Sequence, residues 1–474
     1  MKYVGWVLLA LVAVVVLLLL IAVIRTLLCP KRKSEYTPNS DPDRERLCAE
    51  KLAAMVRCKT LSSADYQTFL ELHRLLEELF PLVHTHLEKC ELDGNLLYCW
   101  KGKSDARPIV LMSHQDVVPA EGEWEHPAFS GDIVDGKVWG RGTADTKCTL
   151  MAFFQAVEEL LEQGIVPAQD VYLFSTCTEE ISGDGADKLV NELKRRGVKP
   201  WLVCDEGGAI ISEPVGGITG KYAMVGVFEK GKADVQFTAR STGGHSSSPP
   251  RNYPITQLAA FVNHVHKHYP FRMKMLPEVR AMFSTLAPYA GFGLRLVFHN
   301  LWLFERLLCT LMPMISAQAT AMLRTTIAFT MQSGSEACNV LPQEASVCAN
   351  LRFIPHQGMD ESLEIIRKLA DEFHLETTLL HGDDYTTPVD IHGEAWQRVS
   401  DAIKRSFPGL PTVPYVVTGG TDARFLQEIC DNCIRFSPVL FESEQLKGMH
   451  GLNETISTSC LPGAVDFFKN LITL

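Results

Sequence analysis

Pro108-Ile109-Val110-Leu111-Met112-Ser113-His114-Gln115-Asp116 is a short apolar run that ends on polar, chemically capable side chains. It reads as a strand that delivers His114 at its carboxyl end. Two later stretches repeat the arrangement. Val171 to Ser175 leads to Thr178-Glu179-Glu180, and Trp201 to Cys204 leads to Asp205-Glu206-Gly207-Gly208. Helical patterns lie between them: Thr149 to Gln163, stopping at Gly164, and Ala186 to Arg196, closed by Gly197. Strands alternating with helices predict a layered α/β domain, with chemistry gathered at the carboxyl ends of the strands.

Five potential metal ligands emerge from this frame, each in a short polar or glycine-rich motif. They are His114, Asp145 in Gly140-Arg141-Gly142-Thr143-Ala144-Asp145-Thr146-Lys147, Glu180, Asp205, and His450 in Met449-His450-Gly451. Together they describe a two-metal hydrolase. A hydrolase at neutral pH needs a strong nucleophile, and a divalent ion supplies one by lowering the pKa of water toward ~7. Two ions ~3.5 to 4 Å apart need a shared ligand. Mixed imidazole and carboxylate donors suit two zinc ions, and manganese or cobalt also fit.

The five motifs, in this order, resemble those of the M20 family of metallopeptidases and amidohydrolases, over nearly all of the chain after residue 46. The resemblance implies that Asp145 bridges the metals, with His114 and Asp205 completing one and Glu180 and His450 the other. It implies that Asp116 holds the His114 ring in its ligating tautomer and that Glu179 is the general base. His245, in Ser241-Thr242-Gly243-Gly244-His245-Ser246-Ser247, resembles the histidine that stabilises the family's oxyanion, a role worth ~3 to 4 kcal/mol. Asn339 and Arg352 match positions that contact a substrate carboxylate, which arginine grips with two prongs. Gly419 and Gly420 open a stretch similar to the substrate-side loop. One departure is Thr146, where many members have a second aspartate.

Asn300-Leu301-Trp302-Leu303-Phe304-Glu305, followed by Arg324-Thr325-Thr326, resembles the branch holding carboxypeptidase S and the N-fatty-acyl-amino acid synthase/hydrolase. That branch implies cleavage of an amide bond next to an amino acid with a free carboxylate, on small peptides or N-acyl amino acids. A dipeptidase, a short-chain aminoacylase and a catalytically dead binding protein stay open. The last is expected to have lost a ligand or the base, and none is missing.

The same reading divides the chain into an apolar anchor (3–24), a linker (25–46), a catalytic domain in two parts (47–224 and 384–474) and an inserted α+β lid or dimerisation domain (225–383). The insertion makes a homodimer through the lid a candidate assembly. Within it, Phe283 to Met322 is rich in Leu, Phe, Met and Trp. It reads as helical core or as a groove for an apolar substrate.

With 474 residues, the chain exceeds what one hydrophobic core supports. The formal charge of −11 argues against a nucleic-acid partner. Tyr3 to Ile24 is uncharged and long enough, at ~1.5 Å per residue, to cross a ~30 Å hydrocarbon layer, and it has no cleavage pattern of a secretory signal. Arg25, Lys31, Arg32 and Lys33 follow it and only Lys2 precedes it, so the positive-inside rule favours a single-pass protein whose catalytic domain faces the cytoplasm. Fourteen cysteines without disulfide spacing agree with a reducing compartment. The glycosylation pattern Asn453-Glu454-Thr455 stands too close to His450 for a glycan to be tolerated. His264, His266 and His268, like His84 and His86, read as helix faces rather than metal clusters, and Cys430 and Cys433 as reduced structural thiols.

Overall fold

The computed structural model describes residues 2–38, 41–62 and 65–474. Its framework is a ten-stranded mixed sheet. The strand Ile109–Met112 runs parallel to Val171–Ser175 on one side and to Leu202–Asp205 on the other. Alternation along these strands feeds two cores. Ile109 and Leu111 join Leu173, Leu202 and Cys204 on one face, whereas Val110 and Met112 join Phe174 and Val203 on the other. Both faces are therefore covered, which is why these strands are continuously apolar.

The helices Cys148–Glu162 and Leu461–Thr473 cover the first face and meet through Phe153 and Phe468, whose ring centroids are 5.8 Å apart. The helix Gly185–Arg195 covers the second through Ala186, Leu189, Val190 and Leu193. Each large apolar side chain buried this way contributes ~1.5 to 3 kcal/mol.

The strand Lys221–Glu229 still belongs to the large sheet, and Val225 and Val227 lie in its core. The large sheet thus runs on to Glu229, past the start of the insert expected at 225. From Gly231 the chain builds a second, four-stranded antiparallel sheet in the order Thr326–Ser333, Glu344–Phe353, Gly231–Arg240, Glu376–Asp383. Gly231 marks the crossing of outgoing and returning chain: a Cβ there would lie 2.6 Å from main-chain atoms of Asp384 and Tyr385. The helices Pro254–Lys267 and Met359–Glu372 pack on this sheet around Phe237, Phe261, Leu351 and Ile366.

The stretch from Pro277 to Ala321 forms four helices, Pro277–Leu286, Phe292–His299, Leu301–Ile315 and Ala317–Ala321. Although placed inside the expected lid, it packs on the core of the large sheet. Phe283 and Phe298, with centroids 4.6 Å apart, are buried there with Leu301 and Met312. Phe283, Phe298 and Leu301 thus take the core reading, whereas Phe292, Trp302 and Leu307 stay exposed.

Lys2–Leu28 is one helix, and its stretch Tyr3–Leu28 is long and apolar enough to cross a membrane. It runs past the expected end at 24 because Ala22 and Thr26 find partners in the fold. The linker is shorter than expected. A helix starts at Pro42, since the Asp41 carboxylate accepts the Arg44 N–H (3.2 Å) and proline suits a first helical turn. Asn39 and Ser40 of that linker lie outside the described residues.

The junction of the two sheets is tied by a fully buried ion pair. Arg435 Nε donates to Glu229 Oε1 at 2.6 Å, and the same carboxylate accepts the Thr421 hydroxyl (2.6 Å) and N–H (3.0 Å). Arg435→Leu leaves Glu229 buried without its counter-charge and is expected to cost about 3–5 kcal/mol. The urea midpoint of the purified variant checks this. A midpoint unchanged from the parent would contradict it.

Candidate metal centre

The ladder that joins the first two strands continues past their ends. Ser113 N–H donates to the Phe174 carbonyl (3.2 Å) and Gln115 N–H to that of Thr176 (2.8 Å), so His114 and the Glu179-Glu180 turn are delivered side by side. The Asp116 carboxylate accepts the N–H groups of Glu179 (3.2 Å) and Glu180 (3.1 Å) and the Ser62 hydroxyl (2.8 Å). With those oxygens engaged, His114 Nδ1 donates to the main-chain carbonyl of Asp116 at 2.8 Å, while the nearest carboxylate oxygen stands at 3.4 Å. Asp116 thus orients the ring through its backbone and the two glutamates through its side chain. Nε2 of His114 is left facing the site.

Asp145 occupies the middle. One of its oxygens lies 3.0 Å from His114 Nε2 and the other 3.0 Å from His450 Nε2. His450 also meets Glu180 Oε2 at 3.2 Å. A carboxylate with one oxygen on each imidazole has the geometry of a bridging ligand. Donor atoms of His114, Asp145 and Glu180 lie within 4.8 Å of one another, and so do those of His114, Glu179 and Glu206.

That second group holds Glu206 where Asp205 was expected. A Glu206 oxygen is 3.6 Å from His114 Nε2. Asp205, one residue earlier, points away: its carboxylate accepts the Ala423 N–H at 2.8 Å. Successive residues at a strand end face opposite sides, so only one of the two acids can reach the histidine.

Glu454 is the other residue that sequence reasoning did not single out. Its fully buried carboxylate accepts the N–H groups of Gly142 (3.1 Å), Ala144 (2.8 Å) and Asp145 (3.1 Å) and pairs with Arg141 at 2.6 Å. Gly142 takes φ +86°, and a Cβ there would lie 2.7 Å from Val117. The glycine and the buried acid together fold the turn that aims Asp145. No local motif marks Glu454. Its place is set by pairing of Thr455–Ser457 with Lys137–Trp139, which brings its carbonyl to the Gly140 N–H (2.9 Å).

The remaining expected residues form two separate places. His245 is exposed on a two-residue strand, its Nδ1 2.8 Å from the Ser247 hydroxyl, and pairs with the segment carrying Asn339, whose carbonyl accepts the Ser246 N–H (3.1 Å). Among the described residues no hydrogen bond or ion pair joins either side chain to the histidine–carboxylate group. Arg352 and Gly420 line one small cavity at the sheet junction with Lys230, Lys232 and Arg424, and Gly419 is exposed beside it.

A sequence model of peptidase family M20/M25/M40 matches residues 110–474. The chain belongs to that family. It is a hydrolase of amide or peptide bonds. The N-fatty-acyl-amino acid synthase/hydrolase PM20D1 of Xenopus tropicalis is 33% identical, over 99% of this chain and 95% of that protein. The probable carboxypeptidase S-like 2 of Dictyostelium discoideum is 31% identical, over 94% and 88%. Among solved structures, the M20 family metallo-carboxypeptidase Sso-CP2 from Sulfolobus solfataricus superposes with a TM-score of 0.67 at 16% identity, covering 90% of this chain and 98% of that one, and so shares the fold.

Charge in this family member's site is strongly organised. Burial pushes the carboxyls of Glu179 and Glu206 well above the usual range. Burial also opposes a charged His114, but Glu206, Asp116 and Asp145 outweigh it and hold that ring's pKa well above its ordinary value. Hydrogen bonds to Asp145 and Glu180 lift His450 to about 10. Were these rings to bind a metal, both would have to be neutral at Nε2, and loading would expel their protons. Because the folded His450 holds its proton up to about pH 10, metal affinity should rise with pH from neutrality toward that value, with proton release throughout. Titration calorimetry in buffers of different ionisation enthalpy measures both quantities. A pH-independent affinity would contradict the protonated arrangement.

Proposed function

We propose that this chain is a membrane-anchored di-metal amidohydrolase that cleaves the amide bond next to a free-carboxylate amino acid, with N-acyl amino acids as the leading substrate class. The observation that carries the reading is Asp145, one oxygen on each of two histidines, with Glu179 beside them. Imidazoles and carboxylates in this mixture fit zinc. In the proposed assignment His114 and Glu206 hold one ion, Glu180 and His450 the other, and Asp145 both. Divalent ions there would supply Lewis acidity and a nucleophile usable at neutral pH.

The chain's own groups account for the rest. Glu179 takes a proton from the attacking water and returns it to the leaving nitrogen, a role favoured by its burial-raised pKa. Arg352 at the sheet junction, in a cavity lined by Lys230, Lys232 and Arg424 and also by Glu229, Asp383 and Asp384, is the proposed two-pronged grip on the free carboxylate. His245 is the proposed oxyanion donor. Being exposed on the smaller-sheet side of the chain, it would reach the reacting carbonyl on closure of the smaller sheet as a lid, or from a second copy in a homodimer. The N-terminal helix serves as the anchor, and the basic residues after it favour a cytoplasmic catalytic unit, which protease applied to intact cells would leave uncut.

A cavity of 220 Å³ next to Glu206, walled in part by Ile211, Met224, Phe441, Leu446 and Met449, supports this substrate class. Three of these, Met224, Phe441 and Met449, are flexible or aromatic apolar side chains suited to an acyl chain. The relatives named for N-fatty-acyl-amino acid and carboxypeptidase S chemistry support the same class. A dipeptidase reading predicts no gain from a longer apolar acyl group.

Metal content separates the residue roles. Glu206→Gln should lose metal, Asp205→Asn should keep both equivalents, and Glu179→Gln should keep both while losing ~10²–10⁴ in turnover. Loss of metal from the Asp205 variant alone would reverse the assignment. Substrate class is read from kcat/KM across N-acyl amino acids from acetyl to oleoyl, below their micellar thresholds and with and without metal. Desolvation of each methylene is worth up to ~0.8 kcal/mol, so a rise of up to about fourfold per methylene is expected until the cavity is filled. A flat or falling series would favour short peptides.

A further inference from the structure

The cavity of 220 Å³ beside Glu206 changes character across the large sheet. At one end Glu206 borders His114, and the strand Ala209–Ser212 leaves from there. Ala209 pairs with Met224, Met224 pairs with Val413, and Tyr415 lies two residues further along the strand Thr412–Val417. Residues directly opposite one another share a face of a sheet, and so do residues two apart. Ala209, Met224 and Tyr415 accordingly stand on one face, and all three line the cavity. Two strand spacings put Tyr415 about 10 Å across the sheet from Ala209, at the end away from Glu206.

A second polar group at that end comes from the helical insert. Gln318 lies on the helix Ala317–Ala321, which is fixed at both ends. At its start the Ser316 hydroxyl oxygen accepts the Ala319 N–H (3.1 Å), and at its finish Lys230 Nζ donates to the carbonyls of Ala321 (2.7 Å) and Arg324 (2.9 Å). Thr320 and Met322 are buried, whereas Gln318 is exposed and lines the cavity. The Tyr415 hydroxyl hydrogen-bonds with the side chains of Gln318 and Thr418. The cavity therefore has apolar walls, among them Met224, Phe441 and Met449, and a hydrogen-bonding end that is open to water.

The two parts treat an acyl chain differently. Each methylene that the apolar walls take from water raises kcat/KM by up to about fourfold. A methyl group that reaches Gln318 and Tyr415 displaces water from an amide and a phenol and replaces none of its hydrogen bonds. At the filling of an engineered cavity of about 150 Å³ that holds one benzene, 220 Å³ takes roughly nine carbons.

We propose that Gln318 and Tyr415 are specificity-determining residues: they end the apolar part of the acyl site at roughly nine carbons, and at the next position they favour a hydroxyl over a methyl group. The proposal rests on reading N-acyl amino acids as the substrates. It gives the insert, through Gln318, a part in substrate choice that its packing on the large sheet does not require.

The test is kcat/KM of the full-length, metal-loaded enzyme for N-acyl derivatives of one amino acid, from butanoyl to hexadecanoyl, with 10-hydroxydecanoyl set against decanoyl. The parent should climb to roughly nine carbons and then level off, and should prefer the hydroxylated chain by about two- to tenfold. In a Gln318→Leu, Tyr415→Phe double variant the climb should continue for about two further carbons and the hydroxyl preference should vanish. Both readouts are ratios within one preparation, so partial loss of folded enzyme cancels. A break point and a preference that the double variant leaves in place would overturn the proposal, and the N-acyl reading would stand. A parent series that climbs to hexadecanoyl without levelling would do the same. A flat parent series would sink the N-acyl reading and the proposal with it.

Discussion

The buried Glu454 carboxylate is the constraint on which the site depends. The main-chain N–H groups of Gly142, Ala144 and Asp145 and the Arg141 guanidinium converge on it, in a place with no solvent to substitute. An unsatisfied buried N–H costs ~1–3 kcal/mol, so the turn has few alternatives that do not break several bonds at once. With the turn fixed, Asp145 cannot swing away from the two imidazoles. The negative charge of Glu454 is itself balanced by Arg141, so rigidity is obtained without an uncompensated ion.

Around that turn, acids and bases crowd at distances that only ion pairing or metal could sustain. Glu179, Glu180, Glu206 and Asp145 surround His114 and His450, and burial would protonate several of the acids if no cation joined them. The raised imidazole pKa values have the same source: protons stand where positive charge is needed. A site assembled in this way is held ready for cations, which is the electrostatic form of preorganisation.

Much of the fold was legible because its strands are short and apolar and each ends on a chemically marked residue. The α/β class, the order of His114, Glu179-Glu180 and Asp205-Glu206 along adjacent strands, and the family all follow from that pattern. Three features were not legible, for definite reasons. Which of Asp205 and Glu206 faces His114 depends on the Ala423 N–H, a partner more than two hundred residues away. Glu454 works through a strand pairing that no local motif signals. The helices from Pro277 to Ala321 lie within the sequence of the smaller sheet but pack on the larger one, since Phe283 and Phe298 complete a core that hydrophobic pattern alone cannot assign to either sheet.

The central claim is that one carboxylate, Asp145, joins two ions between His114 and His450. X-ray absorption spectroscopy of the purified protein loaded with two equivalents of zinc tests it most directly. The account predicts a metal–metal distance of ~3.5 to 4 Å with nitrogen and oxygen neighbours only. A spectrum without a metal–metal vector, or saturation at one equivalent, would contradict it.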